Sequence, residues 1–185
     1  STDRVEVAIG IVAVQKVGQF QTLLQPQRQC LRRDPRAGVV LHAANAVGPG
    51  VIAAACVAAG AGLIHLSTDY VFPGDAGRPY EIDDPTGPLG VYAESKLAGE
   101  QAVLAASCDF YVVRTSWVYT GADGSDFVAV MRRLATTTDR VVEVVDDQTG
   151  SPTYAGDLVA ALLEIADGNV RGPVLHVANA GAVSR

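Results

Sequence analysis

The sequence predicts an α/β fold built on a doubly wound parallel sheet. Three observations point there. Short β-branched runs alternate with helix-forming stretches along the 185 residues. The runs are continuously apolar rather than alternating, as strands buried on both faces are. Polar residues follow directly after two of them, at Ser67-Thr68-Asp69 and Thr115-Ser116-Trp117, where an open parallel sheet presents its ligand site.

In chain order, residues 5–9 form the first expected strand and residues 39–42 the second. Residues 52–59 are Ala-rich and read as helix. Residues 63–66 form a strand that ends on Ser67. Residues 73–90 hold four of the nine prolines and four glycines, so they form a long loop. Long loops in small domains are usually functional, and this one, just before Tyr92, is a candidate lid. Residues 92–106 are good helix formers throughout. A strand is expected at 110–113. A helix is expected at 126–135, with Val128, Met131 and Leu134 at helical spacing. A strand follows at 141–145, and a turn at Gly150-Ser151-Pro152. An amphipathic helix is expected at 155–166 and a last strand at 174–177. No repeat or low-complexity linker interrupts the pattern.

The composition excludes several function classes. With 14 Lys+Arg against 20 Asp+Glu the net charge is −6, which counts against non-specific nucleic-acid binding. A hydrophobic content of 49% with 18% charged residues excludes wholesale disorder. Cys30, Cys56 and Cys108 are widely spaced with no C-x-x-C, so neither a disulfide framework nor a thiolate metal site is expected. No Asp, Glu, Lys or Arg lies between Arg36 and Asp69. Glycine and proline at 48–50 and the glycines at 60 and 62 cut this stretch, which predicts a buried helix and then a buried strand rather than a membrane span. The charged start, Ser1 to Glu6, is unlike a secretory signal, and the expected location is cytoplasmic.

The strongest local constellation is Tyr92-Ala93-Glu94-Ser95-Lys96. Positions i and i+4 share one face of a helix, so a phenol and an ammonium project together. A nearby cation favours the phenolate and lowers a tyrosine's pKa toward the range of useful acid–base catalysis. Thr68, just past a strand, offers a hydroxyl to a substrate oxygen. Trp117, the only tryptophan, is either core or a platform for a sugar ring. The chain's start is less regular. Gly10 and Gly18 are eight residues apart, and the apolar residues between them do not resemble a phosphate-cradling loop. His65 and His176 lie in apolar strands and are expected to be satisfied core histidines. Asp75, Glu81, Asp83 and Asp84 are expected to be solvated.

Together these pieces resemble the extended short-chain dehydrogenase/reductase superfamily and, within it, the family of dTDP-4-dehydrorhamnose reductases. The residues that carry the resemblance run from Leu63-Ile64-His65-Leu66-Ser67-Thr68-Asp69-Tyr70-Val71-Phe72 through Pro79-Tyr80, Pro88-Leu89 and Tyr92 to Glu100. They continue through Arg114-Thr115-Ser116-Trp117-Val118-Tyr119 to Asp146-Asp147-Gln148-Thr149-Gly150-Ser151-Pro152-Thr153-Tyr154. The resemblance implies a Rossmann-like dinucleotide-binding domain at 1–145. It places the start of a small substrate-binding region, mixed with the last sheet elements, at 146–185. It implies NADPH or NADH as cofactor and a dTDP-linked 4-keto-6-deoxy sugar as substrate, reduced at its 4-keto group. Thr68, Tyr92 and Lys96 match the family's catalytic residues. Gly10, Ala43, Ala44, Ser67, Tyr92, Lys96 and Thr115 fall at cofactor-binding positions, and Thr68, Asp69 and Trp117 at substrate-binding positions. No metal site, nucleic acid or membrane is expected, and a homodimer is the expected assembly. Alternatives are an epimerase or dehydratase of the same superfamily, or a non-catalytic regulatory relative.

The sequence departs from that family in its first third. His42-Ala43-Ala44 stands where the family has an Asn-Ala-Ala cofactor turn, and Ala44 runs directly into a helix-like stretch. The spacers before Ser67 are short. The chain is therefore expected to lack loops and a C-terminal part of the family's full length, with a break between Ala44 and Asn45.

Overall fold

The apolar runs around residues 64 and 112 become neighbouring strands of a parallel sheet. The computed structural model describes residues 23–24, 35–107, 109–121, 124–137, 141–168, 170 and 172–184. In order these form β1 (Leu23–Leu24), α1 (Pro35–His42), a π-helical segment (Ala43–Val47), α2 (Gly48–Ala59), β2 (Ile64–Thr68) and a 3₁₀ turn (Asp69–Val71). Then come α3 (Val91–Ala106), β3 (Tyr111–Thr115), β4 (Val118–Tyr119), α4 (Phe127–Thr137), β5 (Gln148–Gly150), β6 (Thr153–Tyr154), α5 (Ala155–Ala166), β7 (Val174–His176) and β8 (Val183–Ser184).

The main sheet has the order β2-β3-β7, all parallel. Its register pairs Ser67 with Arg114 and Thr68 with Thr115, which brings the polar ends of two strands side by side. β1, β5 and β8 make a small antiparallel sheet, and β4 pairs with β6. Alternate strand residues enter different cores. Ile64, Val113 and Leu175 pack against Leu158, Ala161, Leu162 and Ile165 of α5. Leu63 and Val112 pack against Ala53 and Cys56 of α2 and Val103 of α3. Helices thus cover both faces, and that is why the strand sequences are apolar without alternation. The expected α/β class is the one observed.

The helix over 155–166 has its expected bounds, and those at 92–106 and 126–135 are met to within two residues. α2 stops at Gly60, whose φ of 65° lets its N–H and that of Ala61 close back on Val57 and Cys56. Two expectations are corrected. Residues 39–42 are helix, not strand. Nothing in Ala43-Ala44-Asn45-Ala46-Val47 stops a helix, so the run through 48–59 extends back over them, and the weak β preference of Val39 and Val40 is overridden. Ala44 and Asn45 lie inside the π-helical segment. Residues 141–145 form no strand, and Val141 is 92% exposed. A short apolar run needs a ladder partner, and this one has none among the described residues. The expected strand at 5–9, Gly10, Gly18, Cys30 and Cys108 lie outside the described residues.

The glycines and proline at 48–50 do not interrupt the helical run either. Pro49 sits in the first turn of α2, where its missing N–H is tolerated. Gly38–Ala59 is then a 22-residue helix of mean hydropathy 1.6, long and apolar enough to cross a membrane by length and composition. Ala46, Pro49, Ala53 and Cys56 are buried on this run, whereas Val47, Val51, Ile52 and Val57 are exposed.

Two histidines tie stability to pH. His65 and His176 are held neutral by burial, with pKa values lowered to about 4 and about 3. Lys96 adds to the effect at His65, and Arg114 at His176, where Asp84 and a Tyr80 backbone hydrogen bond oppose it. The unfolded chain takes up these protons near the ordinary value of about 6.5, so folding stability falls as pH drops below that value toward 4. Thermal melts between pH 7.5 and 4 are expected to show a falling melting temperature, and His176→Gln with His65→Gln is expected to flatten that slope.

Candidate active site

Helix α3 presents Tyr92, Lys96 and Glu100 at successive i+4 positions, on one side of the helix. That side lies over the carboxyl ends of β2 and β3. The Lys96 ammonium donates to the Leu66 carbonyl at 2.6 Å, joining the helix to the strand that carries Thr68. The Tyr92 phenol is within hydrogen-bond reach of the Thr68 hydroxyl, and its ring meets Tyr70 edge-on at 6.1 Å. Thr68 in turn donates to the Asp69 carboxylate at 3.0 Å and accepts from the Tyr70 N–H at 3.3 Å. Tyr92, Lys96 and Thr68 are therefore brought together as expected.

Their electrostatics differ from the expectation. Burial, with the nearby Asp69 charge, raises the Tyr92 phenol above the usual tyrosine value, although the Thr68 hydrogen bond acts the other way. Burial lowers the Lys96 ammonium, opposed by Glu100. The Lys96 ammonium donates a hydrogen bond to the Leu66 carbonyl and is not among the groups that shift Tyr92. A phenol held protonated is the form a proton donor needs. Asp69 is also corrected. It is 1% exposed and bonded to Thr68, so it orients that hydroxyl rather than facing a ligand.

Below this trio lies a buried ion pair. The Arg114 guanidinium on β3 donates from Nε and Nη2 to the Glu100 carboxylate at 3.0 and 2.8 Å, and both side chains are almost fully buried. Arg114 also stands over the Phe72 ring at 5.0 Å and reaches the Ile82 carbonyl at 3.4 Å. Phe72 stacks on Tyr80 at 4.4 Å. The Tyr80 hydroxyl accepts from the N–H groups of Asp75 and Ala76. One guanidinium thus links the helix, the strand and the long loop, which is pinned at its base. Asp84 is not simply solvated, since it forms a bidentate pair with Arg78 at 2.6 and 2.7 Å.

The π-helical segment meets α3 closely. Asn45 Nδ2 donates to the Ser95 hydroxyl at 3.0 Å, and Ser95 donates to the Tyr92 carbonyl at 2.8 Å. A Cβ on Gly99 would overlap the Asn45 carbonyl, so only glycine permits this approach. Sequence reasoning assigned no role to Asn45, Ser95, Gly99, Glu100 or Arg114. The available signal was a charge at 114 inside an apolar strand, which implies a buried partner. Ala43 and Ala44 lie exposed in the helical run, not in a turn after a strand, so the cofactor-turn reading does not hold for them.

The Ser67 and Thr115 hydroxyls are buried at adjacent strand ends with no hydrogen-bond partner among the described residues. Such orphans are costly unless something else satisfies them. His65 is not the satisfied core histidine expected. Its Nε2 has no partner among the described residues, and it points to where a Gly99 side chain would stand. Trp117 is half-buried with φ 44°, a conformation bulky residues rarely adopt. It walls an apolar cavity of about 220 Å³ with Tyr119, Phe127, Val128, Pro152 and Val183. Among the described residues no cluster of His, Cys, Asp and Glu is placed to hold a metal ion.

A parallel sheet covered on both faces, with a tyrosine–lysine helix crossing its carboxyl edge, defines a Rossmann-like protein of the extended short-chain dehydrogenase/reductase class. Residues 38–185 match the family model described as RmlD substrate binding domain, and the chain belongs to that family. Over 145 residues it is 66% identical to the dTDP-4-dehydrorhamnose reductase of Mycolicibacterium smegmatis, covering 78% of this chain and 44% of that protein. It is 65% identical over 150 residues to the Mycobacterium tuberculosis protein of the same name, covering 79% and 49%. Its fold matches a dTDP-4-dehydrorhamnose reductase from Bacillus anthracis, solved in complex with NADP, with a TM-score of 0.76 and 34% identity over 94% of this chain and 56% of that one. The chain spans about half the length of the curated relatives it matches.

Glu100→Ala is expected to leave a buried, uncompensated guanidinium and to destabilise the fold by about 3–5 kcal/mol, measured by denaturant unfolding. An Arg114→Met, Glu100→Leu double replacement is expected to recover much of that loss, because it removes both charges.

Proposed function

We propose that this chain provides the catalytic core of an enzyme that reduces the 4-keto group of dTDP-4-dehydro-L-rhamnose to dTDP-L-rhamnose, using NADPH or NADH. The observation that carries the reading is the placement of the Tyr92 phenol beside Thr68 on one turn of a helix whose next turn is anchored through Lys96 to Leu66. Identity of about two-thirds to two mycobacterial proteins named for that reaction supports it.

The residues present suit a nicotinamide nucleotide. The orphaned Ser67 and Thr115 hydroxyls and the Lys96 ammonium are hydrogen-bonding groups at the sheet's carboxyl edge, and they would hold the nicotinamide-ribose half. Gly10, the remaining cofactor-binding candidate, lies outside the described residues. The bound dinucleotide would supply a hydride to the sugar's C4. With the sugar bound, the Thr68 hydroxyl turns its proton from the Asp69 carboxylate to the C4 oxygen and holds that oxygen toward Tyr92. The Tyr92 hydroxyl gives that oxygen its proton as charge develops, which completes the new C–OH group. Asp69 accepts the Thr68 proton when no sugar oxygen is present. Trp117 faces the sugar. The cofactor-binding part is residues 1–145 and the substrate-binding part begins at 146. The reaction is assigned to the cytoplasm and the assembly to a homodimer.

The test is the loss of reduced-nicotinamide absorbance when dTDP-4-dehydro-L-rhamnose is added to the full-length protein. Tyr92→Phe is expected to lower the rate on the order of 10²- to 10⁴-fold without loss of circular dichroism. Because burial raises the Tyr92 pKa, the wild-type rate is expected to stay flat through neutral pH and to fall only above the ordinary phenol range. A Tyr92→Phe rate equal to wild type would remove the proton-donor assignment. A wild-type protein that turns over no such sugar would favour the epimerase or dehydratase alternative.

A further inference from the structure

We propose that Gly150 is a positioning residue for the site. It fixes where the Trp117 indole stands, and so sets the width of the apolar cavity beside the carboxyl ends of β2 and β3. Trp117 lies two residues beyond Thr115, hence within about 7 Å of it along the chain, and Thr115 pairs with Thr68.

The backbone of Trp117 is held from outside its own segment. The Ser116 hydroxyl donates to the Ser151 carbonyl at 2.6 Å. The Thr153 N–H donates to the Trp117 carbonyl at 3.2 Å. β4 then pairs with β6. All three ties come from residues 151–154, so the left-handed φ of 44° is imposed by that neighbouring stretch.

The side chain is set by the residue just before those ties. A Cβ on Gly150 would stand 2.7 Å from Trp117 Cε2, 2.9 Å from Cζ2 and 3.1 Å from Cδ2. Gly150 is not among the glycines with positive φ, and it sits in β5 opposite Val183. Glycine there is not needed for a turn. A glycine inside a strand weakens it and commonly marks the close approach of another group, here the indole. With its backbone tied, the ring has no way to accept a methyl group at 150 except by swinging about its own side-chain bonds, which moves a wall of the cavity.

The cavity, about 220 Å³, is lined by Trp117, Tyr119, Phe127, Val128, Pro152 and Val183. A cavity of about 150 Å³ accepts benzene, so this one takes a single ring with substituents. Its aromatic and aliphatic walls suit a ring with an apolar C–H face. Resting on the function proposed above, that group is the 6-deoxy sugar ring.

The test uses Gly150→Ala, Trp117→Phe and the double variant in the full-length protein. Phe lacks the fused-ring atoms that the new methyl would meet. The tryptophan emission that Trp117→Phe removes is the Trp117 signal. In Gly150→Ala this emission is expected to shift. The kcat/KM for the nucleotide sugar is expected to fall on the order of 10- to 10²-fold, mainly through KM, with the KM for the reduced nicotinamide nucleotide unchanged. The double variant is expected to behave like Trp117→Phe alone. Unchanged emission and KM in Gly150→Ala would overturn the proposal, and so would a full Gly150→Ala loss added on top of Trp117→Phe. If Gly150→Ala does not fold, folding of the double variant supports the clash and its failure overturns it. If the wild type reduces no nucleotide sugar, the proposed function fails, and the emission of the variants still decides the role of Gly150.

Discussion

The placement of the site depends on one buried ion pair. Arg114 on β3 and Glu100 on α3 are both shielded from water, and neither charge is tolerable there without the other. Satisfying the pair fixes the rotation of α3 about its axis relative to the sheet. Tyr92 and Lys96 precede Glu100 at i+4 spacing, so the same rotation places them over the ends of β2 and β3. The guanidinium also stands over Phe72, whose ring stacks on Tyr80, and the Tyr80 hydroxyl gathers the start of the long loop. A charge in the core therefore serves as a register pin for a helix, a strand and a loop together.

Around this pin the site is assembled from groups that are individually unfavourable. Tyr92 is buried enough to raise its pKa, and Lys96 enough to lower its own. The Ser67 and Thr115 hydroxyls are buried without partners among the described residues. Trp117 is held at a left-handed φ, a conformation that costs about 1–3 kcal/mol. Such costs persist only where surrounding structure overdetermines them. Here the apolar packing of α5 on one face of the sheet and of α2 and α3 on the other supplies that support.

The π-helical segment shows how the parts interlock. Pro49 has no N–H to offer the Asn45 carbonyl four residues back. That carbonyl stands where any side chain on Gly99 would be, while the Asn45 amide reaches Ser95. The irregularity in one helix is thus fitted to a glycine in another, and the contact braces the turn that carries Tyr92 through the Ser95 bond to its carbonyl.

Much of this was legible in the residues alone. The apolar runs and their polar ends marked β2 and β3. The helix formers from 92 to 106 and the amphipathic pattern from 155 to 166 marked α3 and α5. Tyr92, Lys96 and Thr68 were found because spacing on a helix and position at a strand end are local properties. The residues at 39–42 and 141–145 were misread because a β-branched run becomes a strand only beside a partner, and partnership is not written in the run itself. The roles of Asn45, Ser95, Gly99 and Gly150 escaped notice for the same reason, as they lie in what approaches from 50 to 54 residues away or, for Gly150, 33. The protonation of Tyr92 was misjudged because it depends on burial and on where the Lys96 ammonium is spent. The sequence by itself determined the fold class, the family and the residue types that meet at the carboxyl edge of the sheet. Only the tertiary structure decided which charges pair, which hydroxyls are left open and which glycines must be glycine, because those are set by distances between segments that the chain order does not contain.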